Sequence, residues 1–481
     1  MKAYSRSTAW LVIFLLSSCT ESPKLTTNSP EALKWYNDGV HQFENFYYVE
    51  AKNSFDKALQ LDSNFAMASA RLAYLHVRNG NESDAKAEIA RALQVSVNAT
   101  KREQLFIRLL DHIIHFRNAD AAAVADTLID RYPKDAEIFV LRGNLCELNK
   151  RHDRALEFYQ RAVRTDTAYG PAAMSLGYAY SGRGDFDRAI QEMERYIRLS
   201  PNAADPRASF ADVLLRAGRY EEALQQYQRS LEFKPDYWYS IGRIGDVYMI
   251  MGRLKNAETQ FDLAMTKMVL NNQVRASHLT TKAILQMRRG EYPDAVRLCE
   301  QSLALDSLNI RAAYIKVRAF ARLGKFDEAE QYIDFIRNEI TRRNLGESMA
   351  MLEFYGLRAH LYRYQGRVEE AVAACDSAME YGSELTRADI YHELAEIHLA
   401  EKDYESALDA LEEALRYNPN APSSLLTLTK VYKALGDKQM VHEIGGRLYD
   451  LWKNADPDFQ PLLELKKLVS GARAQQPVAV S

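Results

Sequence analysis

Few side chains in this 481-residue chain are spaced so that they could do chemistry together. His392 and Glu396 lie four residues apart in the segment HELAEIH, which would place both on one face of a helix and within reach of a metal ion. A pair is too small a ligand set for a zinc site, and ordinary polar positions on a helix explain both residues without a metal. We therefore predict that the chain holds no metal and no cofactor.

The sequence lacks the motifs of the common enzyme classes. It has no glycine-rich phosphate loop, no Gly-x-Ser-x-Gly nucleophile elbow and no His-Glu-x-x-His zinc motif. The 62 basic and 65 acidic residues give a formal net charge of −3, whereas a nucleic-acid-binding protein usually has a basic face. Four cysteines scattered along the chain do not form a disulfide framework. These features predict no catalytic residues and no nucleic acid as partner.

One motif recurs through residues 31 to about 455 and must position whatever side chains do act. An alanine returns at intervals of about 34 residues, and a bulky or apolar residue follows it by four positions, as in Ala155 and Tyr159. Five positions before the alanine stands a glycine in seven segments, and twelve positions before it stands a small residue. This spacing predicts two antiparallel helices joined by a tight turn, with the small residues allowing close approach. The alanines are Ala51, Ala85, Ala155, Ala189, Ala223, Ala257, Ala295, Ala329, Ala371 and Ala407.

These residues resemble the tetratricopeptide repeat (TPR) family. The best units read AAMSLGYAYSGRGDFDRAIQEMERYIRLSP and ASFADVLLRAGRYEEALQQYQRSLEFKP. The resemblance implies an all-α fold, a right-handed α-solenoid of about 11–12 helix-turn-helix units over residues 31–455. Units are predicted to start near residues 32, 66, 102, 136, 170, 204, 238, 276, 310, 352, 388 and 422. Residues 456–481 are predicted to form a short capping helix and a disordered tail.

In the TPR family, the first helix of each unit lines a concave groove where peptides or partner helices commonly bind. On one predicted first helix, Arg311, Tyr314, Arg318 and Arg322 are spaced so that they share one stripe. Arginine beside tyrosine suits capture of a carboxylate or an acidic peptide. The candidate partner-binding groove comprises Asn144, Tyr178, Asp212, Asp246, Arg311, Tyr314, Arg318, Arg322, His360 and Arg363.

This candidate set predicts an acidic middle of the groove followed by a basic part. The alternative is a solvated face whose charges only keep the solenoid soluble. The aromatic run at residues 237–239 begins another predicted first helix. We expect it to pack in the core, and partial exposure would instead make it an anchor for a partner.

The N-terminus has the layout of a secretion signal. Lys2 and Arg6 precede an apolar run at residues 9–16, which is too short to span a membrane, and Leu-Ser-Ser-Cys ends at Cys19. That box resembles the lipobox of bacterial lipoproteins. The resemblance implies that residues 1–18 are a signal peptide, that Cys19 carries diacylglycerol and palmitate, and that residues 19–30 form a flexible tether. An ordinary signal peptide is the alternative.

Together these features predict a non-catalytic, membrane-anchored scaffold for protein–protein interaction in the bacterial cell envelope. In enterobacterial lipoproteins an aspartate after the lipidated cysteine retains the protein in the inner membrane, and Thr20 therefore favours the outer membrane. An accessory or regulatory subunit of an envelope signalling or enzyme complex, with the catalytic domain on another chain, is the alternative.

Overall fold

The computed structural model describes residues 25–267, 272–307, 309–342, 349–381 and 384–470. In this part of the chain there are 25 α-helices and one 3-10 helix, and there is no strand. No helix of the described residues is both long and apolar enough to span a membrane. The predicted all-α class and its succession of helix pairs are confirmed, and Cys19 and residues 471–481 lie outside the described residues.

The described helices form twelve pairs that begin close to the predicted unit starts. The first helices are α1 (Pro30–Glu44), α3 (Ala66–Arg78), α5 (Lys101–Ile114), α7 (Ala136–Leu148), α9 (Gly170–Gly182), α11 (Asp205–Arg216), α13 (Trp238–Ile250), α15 (Asn272–Arg289), α17 (Ile310–Arg322), α19 (Met349–Tyr364), α21 (Glu384–Ala400) and α23 (Pro422–Leu435). The second helices are α2 (Tyr48–Leu61), α4 (Glu82–Val95), α6 (Asn118–Arg131), α8 (His152–Thr165), α10 (Phe186–Leu199), α12 (Tyr220–Phe233), α14 (Leu254–Lys267), α16 (Tyr292–Leu305), α18 (Phe326–Arg342), α20 (Val368–Tyr381), α22 (Tyr404–Tyr417) and α24 (Lys438–Trp452). A 3-10 helix (Ser96–Asn98) precedes α5, and α25 (Gln460–Val469) follows the last pair.

The chain divides into two compact units, one ending at Leu128 and the other beginning at Ile129, within α6. In the first unit, Thr26 donates hydrogen bonds from its backbone N and its Oγ1 to the carboxylate of Glu103, at 2.9 and 2.6 Å. Glu103 is buried and also completes the N-terminal cap of α5 with Thr100. The segment before α1 is therefore fixed to the first unit from Thr26 onward.

The small residue of each motif packs against the bulky residue of its own pair. A Cβ added to Gly143 would lie 2.4 Å from the ring of Tyr159, and one added to Gly245 would lie 2.6 Å from the ring of Phe261. Any side chain at either glycine would therefore push the two helices apart. The predicted close approach of paired helices is confirmed.

The turn inside each pair places one residue in the left-handed region of φ. Eight pairs have a glycine there, including the seven predicted from the motif, with φ between 71° and 87°. The other four pairs use a residue with a side chain at the same position, namely Phe46, Phe116, Lys150 and Lys402. A side chain in this conformation costs about 1–2 kcal/mol. Packing of the two helices therefore imposes the turn even where the sequence does not favour it.

Within the second unit, segments about 200 residues apart also pack together. Trp452 Nε1 donates a hydrogen bond to the carbonyl of Ile250 at 2.9 Å, across 202 positions. Tyr220 Oη donates to the carbonyl of Asn420 at 2.9 Å, across 200 positions. A Cβ on Gly252 would lie 2.6 Å from both Ala455 and Phe459. The turns of the middle pairs are thus covered by the last pairs of the same unit.

Candidate functional site

All ten candidate groove residues lie in the second unit, and most of them share one position on successive first helices. That position stands eleven residues before the repeat alanine, or before Val441 in the last pair, and in most pairs it directly follows the small residue. Consecutive first helices such as α9 and α11, or α17 and α19, pack against each other, which brings these side chains together. We call this set the first-helix column, and it comprises Asn144, Tyr178, Asp212, Asp246, Ile284, Arg318, His360, Glu396 and Lys430.

The acidic part of the column forms a closed hydrogen-bonded network, the Asp212 cluster, made of Tyr178, Asp212, Tyr239, Arg243 and Asp246. The buried carboxylate of Asp212 accepts from the hydroxyls of Tyr178 at 2.9 Å and Tyr239 at 2.6 Å. Arg243 Nε donates to the same carboxylate at 3.1 Å, and its Nη1 donates to Asp246 at 2.8 Å. The cluster joins three first helices, because its members come from α9, α11 and α13.

The tyrosines of this cluster are held in the protonated form that donates. Burial, followed by the negative charge of Asp212, raises the pKa of Tyr239 above its usual value. The same two causes raise the pKa of Tyr227, which also donates to Asp212. Burial likewise raises the pKa of Asp246, although Arg243 opposes that effect. The buried carboxylates of the cluster are thus hydrogen-bonded by other side chains of the same unit, as in a network that stabilises the fold.

A second network, the Glu393 cluster, joins His360, Arg363, Glu393, Glu396 and Lys430. Glu393 accepts from Arg363 Nε at 2.6 Å and lies 3.2 Å from the Nδ1 atom of His360. Arg363 also pairs with Glu396 at 3.5 Å, and Glu396 lies 3.5 Å from Lys430 Nζ. The cluster therefore ties α19, α21 and α23 together through alternating charges.

Burial and neighbouring charges set the pKa values of the Glu393 cluster. Burial lowers the pKa of His360, Glu393 opposes it and the nearby arginines reinforce it, with a net value of about 4. Burial by itself disfavours the charge of Glu396, but Lys430, His392 and Arg363 together outweigh it and lower that pKa to about 2. His360 is 1% exposed, so it supports the column from within.

Between these networks lie three arginines, Arg288, Arg318 and Arg322, which we call the arginine trio. The Arg318 guanidinium stands over the ring of Tyr314 at 5.4 Å, and that of Arg322 stands over the ring of Tyr364 at 5.3 Å. Arg288 on α15 and Arg322 on α17 each stand seven residues before their repeat alanine, on helices that pack against each other. None of the three has an ion pair with a carboxylate in the described part of the chain, and the buried Nε of Arg318 has no hydrogen-bond partner there.

The structure brings most of the predicted site residues together, but in three groups. Tyr178, Asp212 and Asp246 form one group, His360 and Arg363 a second, and Tyr314, Arg318 and Arg322 a third; their contacts are those given above. Asn144 is exposed and accepts a hydrogen bond from Tyr159 of its own pair at 2.8 Å. Burial raises the pKa of Asp246 and of Glu353, and the charge of the exposed Arg311 opposes that rise at both.

The predicted contrast between an acidic and a basic part of the groove is weakened by charged residues that were not among the candidates. Arg243 lies within the acidic part, and Glu393 and Glu396 lie within the basic part. Glu396 and Lys430 occupy the column position in the two pairs after His360, so the repeat period predicts them. Arg243 and Glu393 lie about one helical turn before the column residues Asp246 and Glu396. Of the three groups of candidate residues that the structure describes, the arginine trio keeps an excess of one charge.

The aromatic run at residues 237–239 is divided between core and surface. Tyr237 is buried and donates to Asp205 at 3.0 Å, while Trp238 is 43% exposed. Tyr239 is partly buried, within the Asp212 cluster. The prediction of core packing thus holds for Tyr237 and is wrong for Trp238, because consecutive residues on a helix point in different directions.

In the possible metal pair, Glu396 belongs to the Glu393 cluster, whereas the buried Nδ1 atom of His392 has no hydrogen-bond partner among the described residues. Glu396 accepts from Thr427 and pairs with Arg363, which leaves its carboxylate engaged. Across the described ranges, no group of three or more His, Cys, Asp or Glu side chains is arranged to hold a metal ion. Cys146, Cys299 and Cys375 are buried free thiols.

Comparisons with known proteins agree with the repeat pattern. Family models described as tetratricopeptide repeat match residues 117–171, 174–237, 280–334, 352–381 and 388–421. A curated relative, the BBSome complex member BBS4 homolog of Drosophila melanogaster, is 24% identical over 215 residues. That match covers 42% of this chain, and the chain spans only 43% of the relative's length.

Solved structures are similar as well. A tetratricopeptide repeat protein from Parabacteroides merdae is 18% identical, with a TM-score of 0.38, and the match covers 55% of this chain and 99% of that one. YrrB, described as a TPR protein with an unusual peptide-binding site, is 19% identical with a TM-score of 0.30, and the match covers 41% of this chain and 99% of that one. From its repeat motifs and the family models that match them, the chain belongs to the tetratricopeptide repeat family.

Proposed function

We propose that this chain is a non-catalytic, membrane-anchored scaffold of the bacterial cell envelope, which binds a protein or peptide partner through the first helices of its second unit. The repeat family supports a protein–protein interaction scaffold. The observation that supports the partner-binding surface is the arginine trio, since three cations without an ion pair to a carboxylate of the described residues suit a surface that meets another molecule.

The anchor rests on the N-terminal sequence. Cys19 follows an apolar run and a Leu-Ser-Ser box, and lipidation there would hold the chain at the membrane. Thr26, within the predicted tether of residues 19–30, is hydrogen-bonded to Glu103, so a tether from Cys19 to that point would have seven residues. Such a tether spans at most about 25 Å. The first unit would therefore stay close to the membrane surface, and Thr20 favours the outer membrane.

The anchor is tested by replacing the lipidated residue. In the bacterial host, Cys19→Ala is expected to move the protein from the membrane fraction to the soluble fraction and to abolish labelling by a palmitate analogue. A matched change of the next residue, Thr20→Ala, should leave both unchanged. Retention of the Cys19→Ala protein on the membrane after a salt wash would contradict the lipid anchor.

The scaffold is tested by affinity purification of the membrane-extracted protein followed by mass spectrometry. Reversal of the trio by Arg318→Glu with Arg322→Glu is expected to remove a partner that co-purifies with the wild type. The control reverses two exposed arginines of second helices, Arg188→Glu with Arg297→Glu, and should keep that partner. An identical set of partners in all three proteins would contradict the assignment of this surface. A partner enzyme whose activity changes on binding would favour the accessory-subunit alternative.

A further inference from the structure

The predicted tether joins the first unit at one edge of its helix pairs. Thr26 is bound to Glu103 near the start of α5, and Thr27 Oγ1 donates to the carboxylate of Asp62 at 2.6 Å, just beyond α2. The first described residues of the chain are therefore held across the end of α2 and the start of α5. We call this edge of the first unit the tether edge, and it comprises residues 61–64 and 93–103.

Three of the five large apolar side chains that are exposed in the described part of the first unit lie at the tether edge. They are Leu61, Leu93 and Val97, and Val97 is 75% exposed. Val49 and Phe116 lie at the opposite edge, beside the turns inside the pairs. A 14-residue helix such as α5 separates the two edges by about 20 Å. Exposed apolar side chains that share one edge mark a surface that meets a partner or a membrane.

The backbone around Val97 is satisfied within the protein. The side-chain amide of Gln104 donates to the carbonyls of Ser96 and Val97, each at 3.2 Å. The same amide donates to the carbonyl of Ala99 at 3.0 Å, and the Ala99 N–H donates to the Ser96 carbonyl at 2.9 Å. A segment that lies against hydrocarbon must satisfy its polar backbone groups without water. These groups meet that requirement, although the Val97 side chain itself is exposed.

The charges of the tether edge are compatible with phospholipid headgroups. Lys101 is exposed at the start of α5, where a cation is attracted to lipid phosphates. The carboxylates of Asp62 and Glu103 accept the hydrogen bonds of the two threonines, and Glu31 is exposed at the start of α1. Exposed charges of both signs are thus present, so the apolar side chains determine what this edge binds.

The length of the tether indicates which edge faces the membrane. The seven residues from Cys19 span at most about 25 Å, and they reach the first unit at the tether edge. The opposite edge would meet the bilayer only if most of that length ran along a helix of about 20 Å. Apolar side chains enter the boundary between headgroups and acyl chains favourably. We propose, on the basis of the lipid anchor of the proposed function, that the tether edge contacts the bilayer, with Leu61, Leu93 and Val97 in that boundary.

The experiment measures the depth of labels on the full lipoprotein, reconstituted in vesicles of phosphatidylethanolamine and phosphatidylglycerol. Val97→Cys and Val49→Cys each carry an environment-sensitive fluorophore, and nitroxide groups on the lipids act as quenchers. Both valines are exposed and belong to the same unit, so they form a matched pair. Cys146, Cys299 and Cys375 are buried, and lipidation would block the remaining cysteine, so labelling should be confined to the new one.

The two labels are expected to differ. The label at position 97 should shift its emission to shorter wavelength and lose most of its fluorescence to the nitroxide lipids, because it lies between headgroups and acyl chains. The label at position 49 should emit as it does in water and should resist quenching. Leu93→Cys supplies a second site on the tether edge, and circular dichroism and the Tm of each labelled variant must match those of the wild type.

Flotation of the vesicles separates this inference from the proposed function. If the labelled lipoprotein floats with the vesicles but neither position 97 nor position 93 is quenched, the bilayer contact is overturned while the lipid anchor stands. Equal quenching at position 49 would likewise overturn it, since the first unit would then have no preferred edge. If the wild type does not float, the lipid anchor fails and the contact fails with it. Quenching at position 97 but not at position 49, in a protein that floats, supports both.

Discussion

The Asp212 cluster and the arginine trio occupy the same face of successive first helices, yet they treat charge in opposite ways. In the Asp212 cluster, one buried carboxylate receives hydrogen bonds from two first-helix tyrosines and from Arg243, which also neutralises Asp246. In the trio, Arg318 and Arg322 each stand over a tyrosine ring, and none of the three arginines forms an ion pair with a carboxylate of the described residues. The repeat thus supplies one set of positions, and the residue types decide whether a position holds the chain together or remains available to another molecule.

This difference has an energetic consequence. Removal of one member of a satisfied buried network leaves its partners buried without hydrogen bonds, which is costly. Removal of a cation that has no partner loses only the packing of its side chain and relieves repulsion. The two regions should therefore respond very differently to truncation, although all their members lie in the same unit.

The largest effect is expected at the centre of the satisfied network. Asp212→Ala should lower the free energy of unfolding by about 3–5 kcal/mol, because Arg243 and the tyrosine hydroxyls lose their common acceptor. Urea unfolding, followed by circular dichroism, measures this change in the free energy of unfolding. The matched control is Asp236→Ala, an exposed aspartate paired with Lys234, which should cost about 0–1 kcal/mol. Equal effects at the two aspartates would show that the Asp212 cluster is not structural.

The next effect concerns pH and separates the Glu393 cluster from the Asp212 cluster, whose members include no histidine. The pKa of His360 is lowered from 6.5 to about 4 on folding, so the folded protein binds fewer protons than the unfolded chain between these values. The neutral His360 therefore contributes up to about 3 kcal/mol to the free energy of unfolding. This contribution is fully present above pH 6.5 and is lost as the pH falls to 4.

His360→Gln tests this contribution because glutamine does not titrate. Unfolding free energies measured at several pH values between 6.5 and 4 should fall less steeply for the variant than for the wild type. His398→Gln serves as a control, since His398 is partly exposed beside Asp403. If the His360→Gln slope equals that of the wild type, the histidine does not titrate in this range.

The sequence predicts the fold well because the repeat is local. The spacing of Ala155, Tyr159 and Gly143 specifies how two neighbouring helices pack, and the structure shows that contact directly. The packing of Trp452 on the turn at Ile250 is different, because those residues are 202 positions apart and belong to different pairs. A period of about 34 residues defines each pair and its neighbours but does not say which distant pairs meet.

The candidate site is predicted less completely because partners come from other pairs. The spacing of Tyr314 and Arg318 on one helix is visible in the sequence and corresponds to their contact. Glu393 was missed, although it is the acceptor of Arg363, because it lies 30 residues away on the next first helix. Whether an arginine is neutralised thus depends on alignment between helices, and the position within one repeat does not reveal it.

A smaller effect is expected at the trio. Arg318→Met should change the free energy of unfolding by less than about 1 kcal/mol, because the substitution keeps an unbranched apolar chain against Tyr314 and breaks no ion pair. The urea experiment used for Asp212 measures it under the same conditions. A loss comparable to that of Asp212→Ala would remove the contrast between the two regions and would make Arg318 part of a structural network.

The smallest effect tests whether the arginines of the trio repel each other, as the lowered pKa of Arg288 indicates. Either Arg288→Met or Arg318→Met removes the repulsion once, so the double variant gains nothing further from it. The double variant should therefore be less stable than the sum of the single changes predicts, by about 0.5 kcal/mol at low ionic strength. High salt should reduce this difference, because it screens partly exposed charges. A cycle that pairs Arg318→Met with Arg297→Met should show no coupling. Coupling of the opposite sign would contradict repulsion between Arg288 and Arg318.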